Sequence, residues 1–193
     1  EKSPNFLAQI QSYSPNFGQF CLRRSTPLQP HTHRYPEMQG LNDLAFFHKH
    51  LDHGGGLVRD PKALVMYRYT STSLSWKSSR QQILKGCIKP FERRVLSKWK
   101  KFSIWGSGRD GKNFFKQLSK DNKKKVIGFC DIDPKKIKRG FQDRNGYSLP
   151  IVHWTQVKPP VVICVSMGRT GGHLERNIAS LGLVEGVNYW HFS

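Results

Sequence analysis

Residues 102–133 read FSIWGSGRDGKNFFKQLSKDNKKKVIGFCDID. The apolar run Phe102 to Trp105 predicts a strand, and Gly106, Gly108 and Gly111 follow it in GxGxxG spacing. Phe114, Phe115 and Leu118 then fall on one side of a predicted helix, and Val126 to Cys130 predicts a second strand closed by Asp131. Each glycine has a physical role in such a unit. Gly106 permits a tight turn, Gly108 lets the backbone approach a phosphate, and Gly111 lets the helix pack on the strand. The free N–H groups at the helix start point where a pyrophosphate sits. An acid about 20 residues past the last glycine, at the tip of the second strand, stands where a ribose hydroxyl is held, and Asp131 is at that distance. Gly106, Gly108, Gly111 and Asp131 are therefore candidate nucleotide-binding residues. Actual binding is a separate expectation, because a fold does not bring a function with it.

Working outward, residues 135–139 read KKIKR, a glycine-containing turn region runs to Pro150, and Ile151 to Trp154 predicts a short strand. Val161 to Val165 is a β-branched run that fits a buried parallel strand. Gly171-Gly172 precedes a predicted helix, His173 to Leu181, and Asn188 to Phe192 predicts the last strand. Strands alternating with helices over 101–193 predict a small Rossmann-like α/β domain built on a parallel sheet.

Charge is the dominant compositional signal. The 193 residues carry a formal net charge of +19, an attractive field for polyanions such as RNA. Between Lys98 and Arg139 there are fourteen Lys and Arg against four Asp, so the field is concentrated on the α/β unit. Lys112, Lys116, Lys120 and Lys123 recur every three or four residues. They predict one basic stripe along and beyond the first helix, extended by Lys124 and Lys125, and these six lysines are the candidate RNA contacts. A solvated basic surface is the plainer reading of the same residues.

Cys21, Cys87, Cys130 and Cys164 form no CxxC pair, which argues against a zinc ribbon or a disulfide framework; Cys130 and Cys164 lie in apolar runs, where a thiol acts as a small core group. The longest apolar run, Val161 to Val165, is too short to span a bilayer, and no hydrophobic signal core opens the chain. A soluble, cytoplasmic protein without a membrane partner is expected. The chain begins at Glu1 with no Met before Met38, which suggests part of something longer.

Residues 1–39 carry five prolines and sustain no period, so an irregular or loosely packed segment is expected; His31 and His33 are a bland pair in a polar loop. From 40 to 79 the pattern tightens. Asn42 caps a predicted helix with Asp43 in its first turn and Leu44, Phe47 and Leu51 at helical spacing, stopped by Gly54, Gly55 and Gly56. His48, His50 and His53 lack the four-residue spacing of paired ligands and read as a solvated helix edge. Leu57 to Arg59 and Ala63 to Tyr69 predict strands around the turn at Asp60-Pro61, and a Ser/Thr-rich linker follows from Thr70 to Ser79. Over 80–100, a basic connecting helix with Ile83, Cys87, Phe91, Val95 and Trp99 in step is expected to kink or break at Pro90.

The helix at Asn42-Asp43, the triple glycine, the run ending Tyr67-Arg68-Tyr69 and the terminal TGGHLERNIASLGLVEGVNYWHFS (170–193) together carry a resemblance. They resemble family 2 glycosyltransferases of the nucleotide-sugar-binding GT-A type, and within them the queuosine-tRNA galactosyltransferase family. The resemblance covers about 40–193, with both blocks in the family's order. It implies the C-terminal fragment of a GT-A domain followed by the Rossmann-like domain, and transfer of galactose from UDP-galactose to queuosine in tRNA. In that family a Glu-Asp pair opens a helix beside the acceptor and the Asp is the general base. Asn42-Asp43 matches the pair with its first acid replaced, so Asp43 is the candidate base, and an ordinary first-turn acid is the plain alternative. Arg68 faces the donor diphosphate or is a strand-edge arginine; the histidine expected after it is missing.

The same resemblance implies a divalent metal, Mn or Mg, for the complete enzyme, held by an acidic DxD that precedes the general-base helix. Asp131-Ile132-Asp133 is a literal DxD, yet it follows Asp43 by nearly ninety residues and is not expected to bind metal. The donor and metal half would lie upstream of Glu1, and these 193 residues alone are expected to be inactive. The alternatives are a non-catalytic Rossmann-like nucleotide- or RNA-binding module and, less supported, an NAD-dependent oxidoreductase.

Overall fold

The computed structural model describes residues 20–23, 42–59, 79–166 and 168–192. They divide into two compact units, one holding the described residues up to Pro90 and the other those from Phe91. In the first, β1 (Phe20–Arg23) pairs antiparallel with β2 (Gly56–Arg59), Phe20 opposite Arg59 and Arg23 opposite Gly56, with α1 (Asn42–Asp52) between them in sequence. Strand β1 is the one described piece of residues 1–39, the segment expected to be irregular: four residues are too few to show a period, and a partner more than thirty residues away supplies the ladder. Helix α1 stops where Gly54 takes φ 77°, with its amide on the Leu51 carbonyl at 3.1 Å. His48 is 3% exposed rather than on a solvated edge, because it lies four residues after buried Leu44 and so shares its face; His50 is half-buried and His53 exposed.

Helix α2 (Arg80–Arg94) contains Pro90 and runs through it, so of the expected kink or break the break does not occur. The residue four positions earlier, whose carbonyl a proline ring crowds, is Gly86. Its start is fixed by a capping box: the Ser79 amide donates to Gln82 Oε1 at 2.7 Å, and the Gln82 amide donates to Ser79 Oγ at 3.2 Å. The helix ends five residues before Trp99, and a 3₁₀ turn, Leu96–Lys98, follows.

The second unit is the parallel sheet. Its elements are β3 (Phe102–Trp105), α3 (Arg109–Gln117), α4 (Lys120–Lys125), β4 (Val126–Asp131) and α5 (Pro134–Arg139). A hairpin of β5 (Phe141–Gln142) and β6 (Ser148–Leu149) follows, then β7 (Ile151–His153), β8 (Val161–Ile163), α6 (His173–Ser180) and β9 (Tyr189–His191). The five long-range strands run in the order β7-β4-β3-β8-β9, all parallel. Sequence order goes from β3 outward to β7, then returns to β8 on the other side of β3. That reversal makes the β3–β8 boundary a topological switch point, where a crevice opens beyond the carboxyl ends of the strands.

Two-residue alternation sorts the core. Trp105, Cys130, Val161 and Ile163 lie on one face against Leu174 and Ile178 of α6. On the other face Phe115 and Phe129 meet Phe141 in edge-on and tilted contacts, and Phe91, Phe114 and Phe192 close a second aromatic cluster with centroids 4.5–5.9 Å apart. Cys130 and Cys164 are buried, and desolvation pushes both thiols up, so they are inert core groups as expected. Among the described residues no helix is long and apolar enough to cross a membrane.

Candidate functional site

The glycine turn after β3 is built by two of its three glycines. Gly106 has φ 101°, and a Cβ there would sit 2.7 Å from Val165 Cγ2. A Cβ on Gly111 would lie 1.8 Å from the Gly106 carbonyl oxygen, so this position admits only glycine if α3 is to rest on the turn. Gly108 differs: its φ is −76°, and nothing lies within 4 Å of where its Cβ would be. Neither backbone conformation nor packing requires a glycine there.

Asp131 ends β4 and is 7% exposed. Ser107 donates to its Oδ2 from both amide (2.9 Å) and hydroxyl (2.5 Å). The amides of Ile132 and Asp133 donate to Oδ1 at 2.9 and 3.1 Å, and Lys136 Nζ lies 3.2 and 3.4 Å from the two oxygens. Burial pushes this carboxyl up, but the bonds from Ser107, Asp133 and Lys136 outweigh it and hold it below its usual range. A carboxylate has about four lone-pair sites, and the protein fills them. A ribose hydroxyl at Asp131 would have to displace Ser107 or Lys136. Ser107 and Lys136 were not singled out by the sequence; only the return of the turn onto the tip of β4 brings them to the acid.

Asp131 and Asp133 do not fit a divalent metal. Lys136 already places an ammonium 3.2 Å from Asp131 and 3.9 Å from Asp133, and Asp133 Oδ1 caps α5 by accepting from the Lys135 amide. Among the described residues no group of three or more His, Cys, Asp or Glu converges.

A cleft of about 840 Å³ opens over the turn at the switch point. One wall is the tip of β4 with Ile132, whose side chain is exposed; the opposite wall is the β8–α6 segment with Arg169, Thr170, His173 and Asn177. Asp110 lies between, its side chain 12% exposed, with Arg109 Nε 3.7 Å and Arg169 Nη1 4.0 Å from its oxygens. Both guanidiniums are largely exposed, so the cleft has an acidic floor and a basic rim. GxGxxG reading names neither Asp110, a variable position of the motif, nor Arg169, which is distant in sequence.

The six candidate RNA lysines lie on two separate helices rather than along and beyond one. Helix α3 ends at Gln117, and Ser119, its hydroxyl accepting from the Asn122 amide, caps α4 as a separate helix. Lys123 turns over the rings of Phe115 and Tyr147, at 5.7 and 5.9 Å, and Lys125 Nζ donates to the Leu96 carbonyl at 2.8 Å. Lys124 pairs loosely with Asp121 at 3.9 Å. Lys112, Lys116 and Lys120 make no ion pair among the described residues. Asp43 is in the first turn of α1, its side chain outside the described residues. Arg68, the predicted strand Ala63 to Tyr69, residues 70–78 of the linker, and His31 and His33 also lie outside them. No protein-family model matches the chain, and no solved structure matches it significantly.

Proposed function

We propose that this chain is the C-terminal part of a cytoplasmic family 2 glycosyltransferase that moves a sugar, galactose from UDP-galactose, to queuosine in tRNA. The sequence resemblance in the blocks 42–69 and 170–193 supports the chemistry. The observation that carries the role of this part is the set Lys112, Lys116 and Lys120, cations on neighbouring helices with no ion pair among the described residues, whereas Lys123 and Lys125 are engaged by the unit's own groups. Such side chains exchange counterions for backbone phosphates without reading sequence, which suits an enzyme that selects its acceptor in a separate pocket.

In the reaction the acceptor oxygen attacks the anomeric carbon as the bond from that carbon to the diphosphate breaks. UDP departs with the bonding pair, and Asp43 takes the hydroxyl proton. A divalent metal held by residues upstream would offset the charge developing on the diphosphate, with Arg68 beside it. The test is galactose transfer to queuosine-containing tRNA by the full-length protein: Asp43→Asn should lower kcat by roughly 10²–10⁴ with tRNA affinity unchanged. Wild-type kcat in that variant would remove Asp43 from the chemistry. A nucleotide-binding module without transferase chemistry is the second reading, and the cleft over the glycine turn favours it.

A further inference from the structure

We propose that the amino-terminal end of the parallel sheet is a second RNA-docking face, on which Lys98, Lys100, Lys101 and Lys158 hold the phosphate backbone of tRNA. The inference deepens the reading of this unit as an RNA grip and rests on the partner named there. Strand pairing brings the four lysines together from two segments far apart in sequence. Lys98, Lys100 and Lys101 lead into β3, and Lys158 precedes β8, whose Val161 pairs with Ser103. The Ser103 hydroxyl donates to the Lys158 carbonyl at 2.8 Å and its amide to the Pro160 carbonyl at 2.9 Å, which fixes the second segment beside the first. On the other side of β3, Phe102 pairs with Val126, so α4 ends at the same end of the sheet, and Lys125 Nζ ties it to the Leu96 carbonyl at 2.8 Å. Adjacent strands lie about 4.8 Å apart, so the two lysine segments enter the sheet side by side.

All four lysines are exposed, and none has an ion pair among the described residues. Segments 97–101 and 155–160 contain no acid. Of the acids on the flanking helices, Glu92 accepts from the Ser119 amide at 2.7 Å and Asp121 lies 3.9 Å from Lys124. Cations gathered without carboxylates repel one another, a cost that a polyanion removes. Because the five strands are parallel, this end is opposite the crevice at their carboxyl ends, so the face is separate from the cleft over the glycine turn. Trp99 stands between Lys98 and Lys100, half-buried, with its ring 6.1 Å from that of Phe102. An aromatic ring among lysines suits unpaired nucleotides, whose bases stack on it. An anionic membrane asks instead for aliphatic side chains among the cations. Val184 and Val187 are exposed, but they lie on the segment before β9, with β8 between that strand and β3.

The test compares tRNA binding by the 193-residue chain with that of two variants that remove the same charge. One changes Lys98, Lys100, Lys101 and Lys158 to Gln; the other changes Lys135, Lys138, Arg139 and Arg144, exposed positions on α5 and in the β5–β6 connection, to Gln. The first should bind at least tenfold more weakly, with a salt slope reduced by about 2–3, and the second should lose less than threefold. The proposal is overturned if the first variant binds with wild-type affinity and slope, or if the second loses as much, which would make the effect one of net charge alone. Lysine acetylation of the wild type, read by mass spectrometry, needs no variant: bound tRNA should protect Lys98, Lys100, Lys101 and Lys158 and leave Lys135 and Lys138 reactive, and equal labelling with and without tRNA overturns the proposal. Sedimentation with vesicles of phosphatidylserine and phosphatidylcholine separates the other polyanionic surface. A first variant that loses vesicle binding but keeps tRNA binding overturns the proposal in favour of a lipid face. Wild-type binding by a variant changed at Lys112, Lys116 and Lys120 would remove the grip at those helices and leave this face standing, so the two readings fail separately.

Discussion

Asp131 and His191 both weaken the fold as pH falls, one by losing a charge and the other by gaining one. Asp131 is nearly buried, and its folded pKa lies below the unfolded value, so the stability it contributes is present above about pH 4 and is lost as pH falls through the folded pKa. Replacing it with Asn leaves Ser107 and Lys136 facing an amide; Ser107 is buried, and a mismatched buried partner costs about 1–3 kcal/mol. Asp131→Asn should therefore lower the urea midpoint at pH 7 and flatten its decline below pH 4. A midpoint unchanged at pH 7 would show that the acid does not hold the turn.

His191 is 4% exposed, and its Nδ1 has no hydrogen-bond partner among the described residues. Burial brings its pKa down to about 4, against a smaller upward pull from Glu175. Between pH 4 and 6.5 the unfolded chain binds a proton that the folded chain does not, so stability falls as pH drops through that window, by on the order of 3 kcal/mol at its lower end. In His191→Gln, urea midpoints between pH 7 and pH 4.5 should converge relative to wild type. An equal decline in both proteins would assign the loss to other groups.

At the scale of the element, the glycine turn separates fold from site. Gly111→Ala would drive a Cβ to 1.8 Å from a backbone oxygen, so α3 must lift from β3. The expected cost exceeds about 3 kcal/mol, in the range of severe overpacking. Gly108→Ala meets open space and should cost under about 1 kcal/mol, the penalty of a poorer helix cap. Thermal melts of the two variants should differ by many degrees, and equal melting temperatures would contradict the turn as described.

This same turn was legible in the sequence because Gly106, Gly111, Phe114 and Phe115 are local signals with fixed spacing, as were the apolar runs of the five-stranded sheet; the short hairpin of β5 and β6 falls in what reads only as a turn region. Other elements depended on distant partners or overridden local rules. β1 is a strand only because Gly56–Arg59 pairs with it, α2 passes through Pro90, and the Ser119 cap splits a lysine series that reads as continuous. Asp131 was identified from its spacing, but its bonds to Ser107 and Lys136 depend on how the loop folds back and no spacing encodes them.

For the whole molecule, a net charge of +19 on 193 residues acts through where its cations are left unengaged. Lys123 and Lys125 serve the packing of α4, whereas Lys112, Lys116 and Lys120 remain available for a polyanion. The most direct measurement is the affinity of the chain for whole tRNA by gel mobility shift at two salt concentrations, beside a variant with Lys112, Lys116 and Lys120 changed to Glu. The account predicts wild-type binding that weakens steeply with salt, at least tenfold weaker binding by the variant, and a salt slope reduced by about 2–3. Absence of tRNA binding at low salt, or a variant that binds with the wild-type slope, would contradict the claim that this unit grips tRNA.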